Sequence, residues 1–260
     1  MRAPAFYPDQ TGLELRGGGD SFLERSHTLN WGVIECCELK EGVLELKAYQ
    51  LKISLVDSKP CTWRRVVIPA DVTFRRLHDT IQFSMGWHDY HLYEFEFPDE
   101  KLRITNDDEA YQEYKFYTAK YKGKKLSKKV DPHGFILRTL ETTIKQPERV
   151  KIDRFFEGYK NIPYVYDFGD YWQHEIVLEQ IIEDYQFGYP TCLAGEGDCP
   201  PEDVGGLRGY EDFLEAWKDP NHPGHQEMVD WAEGQHYRGF DIDWVNHSLK
   251  VFLKLKKVKL

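Results

Sequence analysis

The first regular feature of the chain is a two-residue alternation of apolar and polar positions. It starts near Leu44 and is clearest over residues 49–55, where Tyr, Leu, Ile and Leu alternate with polar side chains. This period is typical of a strand that is buried on one face. A Lys59-Pro60 turn and a second strand-like segment over 63–68 follow. The pattern therefore predicts a β-hairpin.

The next segment changes to helical spacing. Apolar residues at 74, 77, 81 and 85 share one helix face. Thr73 is a suitable N-cap because its hydroxyl can accept a backbone N–H bond, and Gly86 is a normal helix stop. Alternation returns over 91–97, which predicts a third strand, and residues 102–105 extend the sheet.

The remaining non-helical segments are less regular. Residues 106–150 are charged and weakly patterned, and we interpret them as an insertion in which 114–118 and 135–144 are strands or a short helix. Residues 1–47 are predicted to be an N-terminal extension with a candidate strand at 31–37. The other predicted strands lie at 150–156, 164–166 and 172–182.

The last third of the chain predicts three helices. Apolar residues at 210, 213, 214 and 217 have helical spacing, and Asp219-Pro220 ends that helix. Met228 and Trp231 indicate a second helix, and residues 245–253 a third. Strands that precede helices favour an α+β fold. We expect a mixed, mainly antiparallel sheet, with the 73–85 helix packed on one face and the C-terminal helices nearby.

Composition limits the environment and the partners. No apolar run approaches the roughly 20 residues that span a bilayer, and the N-terminus lacks a signal-peptide core, so we expect a cytoplasmic protein without membrane contact. Five cysteines, an odd number, fit reduced thiols. The net charge of −10 opposes binding to phosphate backbones except at a local basic patch. Two patches, which ordinary solvated surface also explains, are Lys120, Lys122, Lys124, Lys125, Lys128 and Lys129, and Lys250, Lys254, Lys256, Lys257 and Lys259.

Four ordered, aromatic-rich motifs carry a family resemblance. They read KPCTWRR at 59–65, LH, MGW and HL within 77–92, YDFGDYWQH at 166–174, and CPPEDVGG followed by GY within 199–210. In this order they resemble the plasmid pRiA4b ORF-3-like family over about residues 48–250.

The resemblance implies an α+β fold and an association with plasmids and mobile elements, but no established reaction. Two positions depart from the family pattern. Cys61-Thr62 stands where proline or an aliphatic residue is usual, and Val204 stands where a cysteine is common. We therefore divide the chain into an extension, 1–47, and a family domain, 48–254, with 106–150 as the insertion.

Two polar groups suggest metal chemistry. Carboxylates and an imidazole around the Gly169 turn, joined by the acidic loop of the fourth motif, could hold a divalent cation or act as acid and base. Turn formation is the alternative explanation, because Asp and Gly are common turn residues. This candidate polar cluster comprises Asp167, Asp170, His174, Glu202 and Asp203.

A weaker zinc hypothesis uses two thiols and two imidazoles, although their spacing does not match zinc-finger patterns. Its residues are Cys192, Cys199, His222 and His225, and the alternative is that the thiols are small buried groups.

A third group could form an aromatic and basic surface for an anion or a nucleobase. Strand alternation places Arg64 on the opposite face from Trp63 and Arg65, so only one arginine can share a given surface. The alternative is that the tryptophans are core, that Arg64 pairs with an acid and that the first histidine is a satisfied core residue. The group is Trp63, Arg64, Arg65, His78, Trp87 and His91.

These features leave two functions open. The favoured hypothesis is a non-enzymatic module that binds protein or nucleic acid through lysine patches and aromatics. The alternative is a metal-dependent hydrolase or nuclease that uses the carboxylate cluster. The chain has no Walker motif, dinucleotide fingerprint or nucleophile elbow, which argues against ATPase, dehydrogenase and serine hydrolase activities.

Overall fold

The predicted α+β fold is confirmed, and its framework is an eight-stranded sheet. The computed structural model describes residues 46–254. The strands are β1 (Leu46–Leu55), β2 (Trp63–Pro69), β3 (Tyr93–Phe97), β4 (Leu102–Thr105), β5 (Thr143–Lys145), β6 (Asn161–Tyr166), β7 (Trp172–Tyr185) and β8 (Thr191–Glu196).

The alternating segment forms the centre of this sheet. β1 pairs with β2 through Leu51 and Val66, and with β7 through Ile53 and Ile176. Leu51 and Ile53 are fully buried, whereas Lys52 between them is only partly buried. The strand order is β5-β4-β3-β6-β7-β1-β2-β8, and all neighbours are antiparallel except β4 and β5.

The buried residues of helix α1 (Phe74–Met85) share one core with the buried side chains of β1 and β2. The Thr73 hydroxyl accepts a bond from the Arg76 amide at 3.3 Å, and Gly86 ends the helix with a φ of +101°. Buried residues of the C-terminal helices join the same core. These other helices are α2 (Asp108–Tyr121), α3 (Phe135–Glu141), α4 (Asp153–Phe156), α5 (Gly206–Lys218), α6 (His225–Gly234) and α7 (Ile242–Phe252).

The strand predicted at 150–156 is wrong. Lys151 forms only an isolated bridge to Thr73, and α4 occupies 153–156. Phe155 and Phe156 are both buried, so one helical turn carries both rings to the core. A two-residue apolar run does not separate these alternatives.

The weakly patterned region 106–150 is largely regular. Residues 114–118 lie within α2, and 135–144 contain α3 and the start of β5. β5 pairs in parallel with β4, so this region supplies the strand at one edge of the sheet. Its interpretation as an insertion stays a prediction.

Residues 1–45 and 255–260 lie outside the described part of the chain. The candidate strand at 31–37, nearly all of the predicted extension 1–47, and Lys256, Lys257 and Lys259 fall there. Among residues 46–254, the helices are all too short or too polar to cross a membrane.

Candidate functional site

Three of the four sequence motifs meet beside the start of β3 and the end of β6. β3 and β6 pair through Tyr93 and Tyr166, which brings the second and third motifs side by side. The Asp167 amide donates to the Leu92 carbonyl at 2.9 Å, and the chain then turns into β7. We call the surface formed by residues 86–92, 166–171 and 199–206 the motif junction.

The loop of the fourth motif completes the motif junction. The Gly205 amide donates to Asp170 Oδ2 at 3.0 Å. Gly206 has a φ of +70°, and a Cβ on it would lie 2.8 Å from the Asp170 carbonyl oxygen. Trp87 Nε1 donates to the Pro200 carbonyl at 2.9 Å. The loop is thus fixed at both ends, and Asp170 serves to hold it.

Glu202 is buried within the motif junction. Its carboxylate accepts bonds from the Tyr166 hydroxyl at 2.5 Å and from the His88 amide at 3.2 Å, and His88 Nδ1 lies 3.3 Å away. Burial alone would raise the pKa of Glu202, but the bonds from His88 and Tyr166 outweigh it and hold that pKa below its usual value. Glu202 therefore remains an ionised acceptor that ties three segments together.

Asp167 and Asp203 do approach each other, on either side of His91. His91 Nε2 lies 3.4 Å from Asp203 Oδ1 and 3.7 Å from Asp167 Oδ2. One nitrogen and two carboxylate oxygens of this trio lie within 4.8 Å of one another, a spacing that could hold a metal ion. The predicted polar cluster is therefore divided, and two of its three aspartates meet a histidine that we had assigned to the aromatic surface.

His174, the fifth member of the predicted cluster, lies in the core. Its Nδ1 is 3.0 Å from the Trp172 carbonyl, and its ring meets Trp87 edge-on with centroids 5.3 Å apart. Burial lowers the pKa of His174 to about 3, so the ring is neutral at ordinary pH. The structure does not bring His174 to the carboxylates.

His78 is also a core histidine, and both of its nitrogens have partners. Nδ1 lies 2.8 Å from the Tyr164 hydroxyl and Nε2 lies 2.7 Å from Asp89 Oδ1. Its ring stacks on Tyr93 at 3.5 Å. Burial outweighs the neighbouring carboxylate and lowers the pKa of His78. Asp79 and Asp89 both bond to Arg75, so this second His/Asp group is already satisfied within the protein.

The predicted aromatic and basic surface is also divided. Trp63 and Arg65 share the more exposed face of the sheet, where Arg65 lies 5.1 Å from the Trp63 ring and pairs with Glu179. Arg64 points inward and is 1% exposed, and no carboxylate of residues 46–254 pairs with it. Trp87 is buried in the motif junction. No single surface carries the whole group.

The residues of the zinc hypothesis do not assemble. Cys192 and Cys199 are buried, and burial raises the pKa of both thiols, the first to about 11. His225 Nδ1 contacts the Ala216 carbonyl at 2.9 Å, and His222 Nδ1 accepts from a backbone amide at 3.1 Å. Among residues 46–254, two groups of His, Cys, Asp or Glu side chains have the spacing of metal ligands. Neither group contains three of the four residues of the zinc hypothesis.

A further surface, which we did not predict as one site, lies beside α2. It is a groove of about 350 Å³ between α2, β5 and the segment at 146–154. Two tyrosines and four cationic side chains line it, without a carboxylate. We call it the basic groove, and its residues are Tyr111, Tyr114, Lys115, Ile144, Lys145, Gln146, Arg149, Val150 and Arg154.

The cations of the basic groove are free of ion pairs within the described residues, and all four are exposed. A second groove of about 360 Å³ shares Tyr114 and includes Lys122 and Lys124 of the predicted lysine patch. The only sequence signal was the run YQEYKFYTAKY, which is both aromatic and basic. The other cations lie some 30 residues further along the chain.

Comparisons with known proteins agree with the motif resemblance. A family model described as plasmid pRiA4b ORF-3-like protein matches residues 47–249. The chain is 34% identical to the uncharacterized protein y4hQ of Sinorhizobium fredii over 188 residues, which cover 72% of this chain and 82% of the relative. A crystal structure of MM3350, a protein of unknown function from Methanosarcina mazei Go1, is similar with a TM-score of 0.56 and 32% identity. That match covers 76% of this chain and 97% of MM3350.

Proposed function

The chain belongs to the plasmid pRiA4b ORF-3-like family, and we propose that it is a non-enzymatic binding module that holds single-stranded nucleic acid in the basic groove. One observation carries the proposal. Four unpaired cations line this groove without any carboxylate, although the chain as a whole has a net charge of −10. A segregated positive site on an acidic protein is the arrangement that attracts a phosphate backbone locally.

Charge supplies the affinity in this proposal. Lys115, Lys145, Arg149 and Arg154 come from three separate segments and converge on one groove. If each neutralises one phosphate of a single strand, the logarithm of the binding constant falls with the logarithm of salt concentration with a slope of about −3. Binding should therefore be weak at high salt, where the release of counterions from the phosphates contributes little.

Aromatic side chains supply the preference for single strands. α2 carries the aromatics Tyr111, Tyr114, Phe116, Tyr117 and Tyr121, yet none of its residues is fully buried. Unpaired bases stack on such rings, whereas bases within a duplex are already stacked on one another. Lys115 lies 5.5 Å from the Tyr111 ring, so a cation and an aromatic face stand together on the groove wall.

Fluorescence anisotropy with labelled oligothymidine, oligouridine and a matched duplex tests the proposal. The wild-type chain should bind the single strands more tightly than the duplex at low salt. The double variant Lys145→Glu with Arg149→Glu should lose at least tenfold in affinity, and its salt slope should be shallower by about 1.4, because two phosphate contacts are removed.

The control reverses two charges elsewhere. Arg208 and Lys218 are exposed on α5, away from the groove lining. The variant Arg208→Glu with Lys218→Glu has the same net charge as the groove variant and should keep most of the affinity. Equal losses in the two variants would mean that net charge, rather than the groove, governs binding. Absence of binding by the wild-type chain at low salt would refute the proposal outright.

Tyrosine substitutions separate stacking from charge. Tyr111→Ala with Tyr114→Ala should reduce single-strand affinity, since base–aromatic stacking contributes about 1–3 kcal/mol per base, while the salt slope stays unchanged. A loss of duplex and single-strand affinity in equal proportion would contradict the stacking role.

A further inference from the structure

His91, Asp167 and Asp203 face one another at distances that do not suit hydrogen bonds. His91 Nε2 makes no hydrogen bond and is shielded from solvent, although it lies 3.4 Å from Asp203 Oδ1 and 3.7 Å from Asp167 Oδ2. Nitrogen–oxygen hydrogen bonds are usually about 2.7–3.2 Å long. A buried nitrogen close to two carboxylates, yet bonded to neither, calls for an explanation.

The same distances suit a shared ion. When two donor atoms each lie about 2.1 Å from one metal and subtend an angle of 90–110°, they stand about 3.0–3.4 Å apart. The His91–Asp203 separation falls at the upper end of this range, and the His91–Asp167 separation is slightly larger. All three donor atoms lie within 4.8 Å of one another.

The protein holds the donors in this orientation. Asp167 is only 6% exposed, and its Oδ1 accepts the Gly169 amide at 2.8 Å, which leaves Oδ2 directed at His91. The His91 ring packs edge-on against Tyr166 at 5.8 Å, and the Tyr166 hydroxyl binds Glu202, the neighbour of Asp203 in the chain. Outer contacts of this kind fix ligand orientation in metal sites.

We propose that His91, Asp167 and Asp203 form a binding site for one divalent transition-metal ion, such as Zn²⁺ or Mn²⁺. The donor set of one imidazole and two carboxylates suits these ions better than Ca²⁺, which prefers six or more oxygens. The Asp203 side chain is 65% exposed, so the site opens to solvent on that side and water completes the coordination. The site is independent of the basic groove.

The second His/Asp group of the described chain differs from the trio around His91. His78 lies 2.7 Å from Asp89, and both of its ring nitrogens have partners. Arg75 neutralises Asp79 and Asp89. That group is satisfied by the protein itself, whereas no Lys or Arg of residues 46–254 forms an ion pair with Asp167 or Asp203.

Isothermal titration calorimetry tests the site on the full chain, purified without an affinity-metal column and dialysed against a chelator. Zn²⁺ and Mn²⁺ are titrated separately, and one ion per chain is expected for at least one of them. Asp203→Asn should weaken that binding at least tenfold without loss of folding, because Asp203 is exposed. An anomalous difference peak between the three side chains in metal-soaked crystals would locate the ion.

Asp57→Asn is the matched control. Asp57 is also an exposed aspartate with a left-handed backbone, its φ being +57° against +59° at Asp203, but it lies in the turn between β1 and β2. This variant should bind metal as the wild type does. Failure of the wild type to bind either ion saturably, or equal affinity in Asp203→Asn and wild type, overturns the proposal. The Lys145→Glu, Arg149→Glu variant should bind metal as the wild type does. A failure of the metal-site proposal can therefore be distinguished from a failure of the groove proposal.

Discussion

The guanidinium carbon of Arg64 lies 4.0 Å from the centroid of the Phe240 ring. This contact joins the buried face of β2 to the segment before α7. Arg64 also donates to three carbonyls, those of Ser84 at 2.8 Å, Trp63 at 2.8 Å and Glu196 at 2.9 Å. The Ser84 carbonyl belongs to the last turn of α1, where the helix dipole favours a cation. Carbonyls and an aromatic face therefore take the place of the acidic partner that the alternative interpretation of the sequence gave to Arg64.

Replacement of Arg64 should be costly for stability. Arg64→Met keeps the unbranched apolar part of the side chain but leaves three carbonyls without their donor, so we expect a loss of about 3 kcal/mol in the free energy of unfolding. Urea denaturation measures it. Arg65→Met is the control, because Arg65 makes a partly exposed pair with Glu179 and should cost less than about 1 kcal/mol. Similar losses at the two positions would contradict the structural role of Arg64.

The Gly206 contact with Asp170 is a second test of the motif junction. Gly206→Ala must adopt a φ of +70° and also place a Cβ 2.8 Å from a backbone carbonyl oxygen. We expect a loss of more than about 2 kcal/mol, measured by urea denaturation. Gly123→Ala is a matched control, since Gly123 has a φ of +76° but open space around it, and should cost only about 1 kcal/mol. If the two variants lose the same stability, the close approach at Asp170 contributes nothing to the cost of Gly206→Ala.

Local signals explain what could be predicted from the sequence. The limits of α1 follow from Thr73 and Gly86, which act on the backbone of their own helix. The hairpin of β1 and β2 follows from alternation over adjacent residues. The strand at 150–156 was predicted wrongly from the Phe155-Phe156 doublet, because one helical turn and a short strand can both bury such a pair.

The sites depend on long-range pairing, which the sequence alone does not specify. His91 meets Asp167 because β3 pairs with β6, and Asp203 joins them because Trp87, Tyr166 and Asp170 hold the 199–206 loop. The basic groove likewise requires β5 to pair in parallel with β4. Residue types indicated candidate chemistry, but strand order decided which of them became neighbours.

Tyr166 and Glu202 should be energetically coupled. The Tyr166 hydroxyl donates to the buried Glu202 carboxylate, so Tyr166→Phe and Glu202→Gln disturb one interaction. A double-mutant cycle by urea denaturation should give a coupling energy of about 1.5–3 kcal/mol, as expected for a hydrogen bond to a charged group. Tyr166→Phe paired with Glu211→Gln, an exposed position on α5, should be additive. Additivity in the first cycle would show that the bond adds nothing to stability.

His174 should make the fold sensitive to acid. Its pKa is lowered by burial to about 3, whereas a histidine in the unfolded chain titrates near 6.5. As the pH falls below about 6.5, His174 binds a proton in the unfolded chain but not in the folded protein. Stability is therefore lost progressively until the pH reaches the folded pKa. The loss from this one group is about 2 kcal/mol at about pH 5. His174→Gln removes the titrating group, so its stability deficit relative to wild type should shrink by about that amount between about pH 7.5 and pH 5 in urea denaturation. A deficit that is the same at both pH values would contradict the neutral, buried state of His174.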